Sequence, residues 1–286
     1  MKRFILFLLA ALLIAFFVIK FGINHDNSPV EAHENLSGQG CAVLTYHRIN
    51  KDSFFDKFNG FITNDPQLTT YNIYKSDFDQ QMKDLKRNNV EFITPQFLQE
   101  YMTKKKTLPS NRKCVLITFD DVDESVYQNA FPILKNYQIP FTVFLIMGQV
   151  GNKDYNGVSL ADWKQIEEMQ KSGLATVGTH TYDLHYLKSN GRPPFLVNKN
   201  INAFQKDARS SIKKYEKHFG SKPDYFAYPY GFGTPRTDKV LMDDGYKLIF
   251  SLRYGLNKPN DPTFFVKRIL LTYKDWDDVK NWIQSK

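Results

Sequence analysis

Cys114-Val115-Leu116-Ile117-Thr118-Phe119-Asp120-Asp121 opens on an apolar run, Cys114 to Ile117, and ends in two adjacent carboxylates. A short apolar run without alternation reads as a strand buried on both faces, the kind found in parallel sheets. Unpaired buried carboxylates are costly, so such a strand does not end in two of them unless something there needs them. About sixty residues later a second run, Ala175-Thr176-Val177-Gly178, leads into Thr179-His180-Thr181-Tyr182-Asp183-Leu184-His185. One carboxylate and two imidazoles supplied from strand ends form a donor set for a divalent metal with open positions. The other carboxylate is then free to act as a base. His180 and His185 are five apart, which on a helix would separate them by roughly 140°. They belong instead to a strand end and the turn after it.

Outward from these two runs, strand-like and helix-like segments alternate. Strands are expected at 41–46, 91–93, 113–119, 141–146, 175–178, 225–228, 247–251 and 265–271. Between them, Ser76 is placed to cap a helix carrying Phe78, Met82 and Leu85, and Thr94-Pro95 opens another. Ser159 and Gly173 bracket a third, with Leu160, Trp163, Ile166 and Met169 on one face. Ile201, Phe204, Ala208, Ile212, Tyr215 and Phe219 stripe a longer helix stopped by Gly220, and 275–283 closes the chain. About eight strands alternating with helices predict an α/β fold: a single (β/α) barrel, distorted or incomplete, of seven to eight strands. A doubly wound open sheet is the alternative, but no glycine-rich phosphate loop follows the first strand. In both architectures ligands bind at strand ends, and His47, Asp120-Asp121 and His180 all follow strands directly.

The N-terminus reads as an export signal. Met1-Lys2-Arg3 is basic, and residues 4–19 are uncharged and apolar, shorter than the ~20 residues that span a bilayer comfortably. A cleavage site at Val30-Glu31-Ala32 makes residues 1–32 a signal peptide and 33–40 a linker, with 41–286 as the folded domain. The distance of that site from the apolar run leaves retention as an uncleaved anchor open. The whole chain of 286 residues carries +8, and loss of 1–32 removes three positive and two negative charges, leaving about +7. A basic exported protein adheres to anionic cell walls or lipid headgroups. No nucleic-acid motif accompanies the charge, so no nucleic-acid partner is expected, and the chain is expected to act as a monomer.

Two cysteines in a chain of this length do not make a disulfide scaffold or a structural zinc site. Cys41 and Cys114 are expected to be buried apolar residues. Yet Cys41-Ala42-Val43-Leu44-Thr45-Tyr46-His47 and Cys114-Val115-Leu116-Ile117-Thr118-Phe119-Asp120 match position by position. Were the two strands neighbours in register, the thiols would face each other and oxidise. Residues 54–61, with four phenylalanines in eight positions, follow the His47 motif. They suit either a contact with membrane or polymer or a loop folded into the barrel rim.

Thr118-Phe119-Asp120-Asp121, the His180-Thr181…His185 element and Tyr228-Pro229-Tyr230-Gly231 resemble the signature motifs of polysaccharide deacetylases of the carbohydrate esterase family 4 (NodB homology) type. The likeness spans roughly residues 41–251. In the usual two-histidine motif the imidazoles are four apart, and a C-terminal Leu-x-x-His supplies the catalytic acid; here the spacing is five and no histidine follows His218. Both departures resemble one subgroup, the poly-β-1,6-N-acetylglucosamine N-deacetylases, whose motif order is permuted and whose acid comes from an early Tyr-His, here Tyr46-His47.

The resemblance implies a secreted, cell-surface hydrolase of amide bonds whose partner is poly-β-1,6-N-acetylglucosamine, releasing acetate and leaving a partly cationic polymer. It implies Asp121, His180 and His185 as ligands of a divalent metal, zinc first and nickel or cobalt as alternatives. Asp120 would be the base, His47 the acid, and the Tyr228–Tyr230 turn the oxyanion element through the Tyr230 N–H; as an ordinary tight turn, Tyr228 and Tyr230 would have no such part. Arg268 would either orient Asp120 or sit at the surface, and Asp275, Asp277 and Asp278 fall near a further acidic motif without aligning to it. A peptidoglycan or chitin-type deacetylase is the nearest rival, and a non-catalytic polysaccharide-binding protein the rival from another class. A glycosidase would need carboxylates flanking the bond ~5–10 Å apart, which neighbours after one strand do not supply.

Overall fold

Apolar runs of this kind fold into one parallel sheet in the computed structural model, which describes residues 36–53, 70–109 and 112–285. The strands are β1 (Cys41–Tyr46), β2 (Arg48–Asn50), β3 (Asn72–Tyr74), β4 (Glu91–Phe92), β5 (Cys114–Asp121), β6 (Phe141–Leu145), β7 (Ala175–Thr179), β8 (Tyr225–Ala227), β9 (Leu248–Phe250) and β10 (Ile269–Leu270). The main sheet has eight strands in the order β10-β1-β5-β6-β7-β8-β9, with β4 beside the start of β5. Every pairing in it is parallel. β2 and β3 form a separate parallel pair.

Alternating side chains show how the sheet curls. Ala42, Leu44, Val115, Ile117, Val143 and Leu145 face one apolar cluster. Their neighbours Cys41, Val43, Cys114, Leu116 and Phe144 meet Ala227, Leu248 and Phe250 from the far side of the sheet. Phe144 on β6 and Phe250 on β9 lie 5.1 Å apart, ring to ring, although two strands separate theirs. Only a sheet rolled on itself brings them together. A thin seam follows β9: Ser251 N–H donates to Val266 O and Val266 N–H to Ile249 O, after which two-residue β10 pairs with β1. The fold is the expected (β/α) barrel in incomplete form.

The helices are α1 (Lys75–Arg87), α2 (Pro95–Met102), α3 (Phe131–Tyr137), α4 (Trp163–Lys171), α5 (Ile201–Phe219), α6 (Pro235–Asp243) and α7 (Tyr273–Gln284). Phe78, Met82 and Leu85 on α1 are buried as their spacing predicts. Thr94 caps α2 by accepting from Phe97 N–H, and Gly220 ends α5 in the left-handed conformation at φ 72°. Two caps differ from expectation. Tyr74 occupies the α1 cap position, and Ser76 donates instead to Asp52. Asp162 caps α4 in a reciprocal box with Gln165, while Ser159 donates to Glu124. An acceptor at Asp162 sits three residues before Gln165, the spacing a capping box requires.

β1 and β5 are neighbours in register, Cys41 opposite Cys114 and Tyr46 opposite Phe119. The two cysteines are joined in a disulfide with Cα atoms 4.5 Å apart. This corrects the expectation of two free thiols: parallel register places the sulfurs face to face inside the barrel. The proposed signal segment and residues 54–61 lie outside the described residues. Among the described residues no helix is long and apolar enough to cross a membrane.

Candidate active site and metal centre

Parallel strands deliver their C-terminal residues to one end of the barrel, and the candidate side chains gather there. β5 runs two residues further than its apolar run, so Asp120 and Asp121 are its last residues. The strand direction turns abruptly at that point. Asp121 and Val122 both adopt left-handed backbone, φ 62° and 64°, and Val122 N–H donates to Asp120 O at 2.6 Å. Thr181 (φ 69°) and Tyr230 (φ 60°) do the same in the loops after β7 and β8. Four non-glycine residues in this sparsely populated region, two of them β-branched, mark a site whose geometry is imposed by its surroundings.

Asp121 Oδ1 lies 3.1 Å from His185 Nε2 and 3.5 Å from His180 Nε2. His180 Nδ1 is 2.8 Å from the Ala227 carbonyl, which can only accept, so Nδ1 carries the proton and Nε2 presents a lone pair. Tyr155 spends its hydroxyl hydrogen on His185 O at 2.6 Å, and its oxygen lies 3.3 Å from His185 Nδ1. His185 therefore also presents an unprotonated Nε2 in its neutral form. Burial holds His180 neutral, with its pKa pushed down to about 4.

A carboxylate oxygen thus faces two imidazole lone pairs, and it is buried without a hydrogen-bond partner. With both rings neutral that arrangement is repulsive, and a cation among the three atoms relieves it. The three donor atoms lie within 4.8 Å of one another, and second partners fix both imidazoles as metal-binding histidines require. These residues fit a divalent metal ion.

Asp120 points to the barrel interior and takes no part in that trio. Arg268 grips both of its oxygens, Nη1 to Oδ1 at 2.7 Å and Nη2 to Oδ2 at 2.9 Å. Arg268 Nε donates to Ser251 O at 2.7 Å, and the guanidinium lies over the Phe144 ring. Arg268 is 0% exposed and Asp120 2%, so the surface reading of this arginine is corrected. Burial alone would raise the Asp120 pKa; the guanidinium beside it outweighs burial and holds the carboxyl below its ordinary value.

His47 follows β1 as Asp120 follows Phe119 on β5, and the register of the two strands carries the imidazole to the same end. Its ring packs edge-on against Tyr71 at 4.9 Å. Burial lowers its pKa against the opposing fields of Asp121 and Asp120. Tyr230 stacks its ring on His185 at 5.0 Å. Tyr228 turns the other way: its ring packs among Phe195, Phe204 and Phe226, and its hydroxyl lies within hydrogen-bond distance of Thr237 Oγ1 and Asp238 Oδ1 at the start of α6. Asp275 accepts from Thr272, the N-cap of α7, in a capping box, and Asp278 accepts from Tyr254, so both side chains are engaged away from the trio.

Several supporting residues had no reading in the sequence. Asp207, buried on α5, accepts from Tyr182 N–H at 2.7 Å and Asp183 N–H at 2.8 Å, clamping the loop between the two histidines. Tyr155 and Tyr71 act through rings and hydroxyls that no local pattern distinguishes from core aromatics. Asp207 does carry a faint signal, an acid within the apolar stripe of α5.

The profile of the polysaccharide deacetylase family matches residues 107–249. A poly-beta-1,6-N-acetyl-D-glucosamine N-deacetylase of Staphylococcus aureus (strain MSSA476) is 32% identical over 284 residues, 98% of this chain and 97% of that protein. Its namesake from Staphylococcus epidermidis is 30% identical over 287 residues, 97% of this chain and 98% of its own length. The solved structure of IcaB from Ammonifex degensii is 43% identical, with a TM-score of 0.79, covering 88% of this chain and all of that one. On the matched profile and the near full-length identity, the chain belongs to the polysaccharide deacetylase family.

Proposed function

We propose that this chain is an exported, metal-dependent N-deacetylase that removes acetyl groups from poly-β-1,6-N-acetylglucosamine. Support for the substrate comes from relatives so named along nearly the whole chain. Support for the chemistry rests on one observation: Asp121 Oδ1 faces two imidazole lone pairs while Asp120, held by Arg268, stands beside them. In this reading residues 1–32 form the export segment, 33–40 the linker and 41–286 the enzyme. A mature charge of about +7 favours retention at an anionic cell surface.

Asp121, His180 and His185 would hold the ion, zinc first with nickel or cobalt as alternatives; when bound, it supplies positive charge that acidifies water and polarises the acetamide carbonyl. Asp120, kept ionised by Arg268, takes a proton from the attacking water as its oxygen bonds to the acetamide carbon. The Tyr230 N–H, oriented by the left-handed turn at that residue, donates to the carbonyl oxygen as negative charge develops there. His47 in its protonated form gives a proton to the amide nitrogen, so the C–N bond breaks with an amine as leaving group. Burial favours the neutral ring, which makes the protonated ring a readier donor. Acetate and a glucosamine unit are the products.

Acetate release from defined β-1,6-linked N-acetylglucosamine oligomers, with and without chelator and with each metal restored, tests this reading. Activity that survives complete metal removal refutes the metal role. Release from β-1,4-linked oligomers alone transfers the enzyme to chitin or peptidoglycan chains.

A further inference from the structure

β2 carries the chain away from His47, and its two edges are treated differently. Arg48 N–H donates to Tyr71 O on the β3 side. In an extended strand the next residue aims its N–H and C=O the opposite way, so those of Ile49 point to an edge that no strand occupies among the described residues. Two side chains occupy that edge. Ser125 Oγ accepts from Ile49 N–H at 3.0 Å, and Asn129 Nδ2 donates to Ile49 O at 2.8 Å. Ile49 is fully buried, Asn129 is 3% exposed and Ser125 8%.

Both partners come from the segment that leaves the metal centre, directly after Asp121. Residues Val126–Ala130 form a π-helical turn there, with Ser125 at its N-cap and Asn129 within it. Such wide turns are frequent at functional sites. Ser125 is itself held, its N–H donating to Asp123 Oδ1 at 2.8 Å. A serine and an asparagine thus imitate one rung of a strand partner for the residue two positions beyond His47.

We propose that Asn129, with Ser125, is a positioning residue for His47: it ties the strand that directly follows the proton donor to the segment that directly follows Asp120 and Asp121. This rests on the reading of His47 as the acid. Asn129 meets the site through Ile49 backbone, not through substrate, and its loss lets the imidazole drift while Asp121, His180 and His185 keep their places. Misplacing a reacting group by about 1 Å costs on the order of 100-fold in rate.

The test compares two acetyl substrates that differ in their need for an acid. A β-1,6-linked N-acetylglucosamine pentamer releases an amine, which must be protonated. 4-Nitrophenyl acetate releases a phenolate, which need not be. Asn129→Ala and Ser125→Ala are measured on both, with metal content and melting temperature alongside. Asn129→Asp, nearly isosteric but lacking the donor, serves if the alanine variant misfolds.

The expected result is a loss of kcat on the pentamer of about 10- to 100-fold, with ester hydrolysis within about threefold and metal content unchanged. Equal loss on both substrates, loss of metal, or no loss at all overturns the proposal. His47→Ala separates the two claims. If it depresses both substrates alike, the donor reading fails and takes the reason for Asn129 with it. If it spares the ester and Asn129 variants spare both, the positioning role alone is refuted.

Discussion

Arg268 holds Asp120 with both terminal nitrogens, at 2.7 and 2.9 Å, across 148 positions of sequence. The pair is sealed from solvent and joins the last strand segment to the end of β5. Removing one partner of such a pair strands the other charge, which costs about 3–5 kcal/mol. Arg268→Ala should therefore lower stability by about that amount and reduce acetate release by at least ~100-fold. Arg268→Lys should rescue charge but not the two-point grip, and should stay well below wild type. Urea denaturation and steady-state kinetics check both; a fully active lysine variant would show that the grip is dispensable.

Asp120 stands outside the ligand trio. Asp120→Asn should thus retain metal at close to wild-type stoichiometry while turnover falls by about 100-fold or more. Elemental analysis of the purified variant, paired with acetate release, decides the matter. An asparagine variant that binds metal and turns over normally ends the role of Asp120 as base.

The histidines set a pH dependence whose sign follows from burial. His180 has its pKa pushed down to about 4, whereas an unfolded histidine titrates near ~6.5. Between these values the unfolded chain binds a proton that the native chain refuses. The contribution to stability is complete above about pH 6.5 and is lost as pH falls towards 4, with a slope of up to ~1.4 kcal/mol per pH unit. His47 runs the same way. His185 runs oppositely, because the Asp121 carboxylate outweighs burial and raises its pKa. Denaturation of chelator-treated protein from pH 7 to 4.5 should show a shallower decline in His180→Gln than in wild type. Identical declines would mean that His180 is not held neutral.

The disulfide sits at the opposite end of β1 and β5 from His47 and Asp120. It closes a loop of 73 residues, for which the stabilisation is about 2–5 kcal/mol. A Cys41→Ser, Cys114→Ser double variant should lose about that much stability yet keep its kcat at 25 °C. Alkylation with and without reductant, read by mass, confirms the bond; collapse of kcat in the folded variant would show that it also aligns the site.

Much of this was legible because burial leaves a plain mark on sequence. The apolar runs of β1, β5, β6 and β7 gave the parallel sheet, and carboxylates or imidazoles at the ends of such runs marked the candidate site. The matching pattern at Cys41 and Cys114 even contained the register that joins them, but composition argued for free thiols. What stayed hidden depended on partners distant in sequence. Arg268 looks like any charged residue until Asp120 lies against it. Asn129 and Ser125 sit in a π-helical turn that has no simple apolar period, and β2 is three residues long. α6 had usable signals in Thr234-Pro235, a cap followed by proline, but with so short an apolar stripe it was not among the expected helices.

Thr181 sits between the first imidazole and the Asp207 clamp, with left-handed backbone and a buried hydroxyl that finds no partner. Each condition is unfavourable for a β-branched residue, and glycine at this position would relieve both at once. Thr181→Gly would therefore remove both penalties while adding backbone freedom at the turn on which His180 and His185 are spaced.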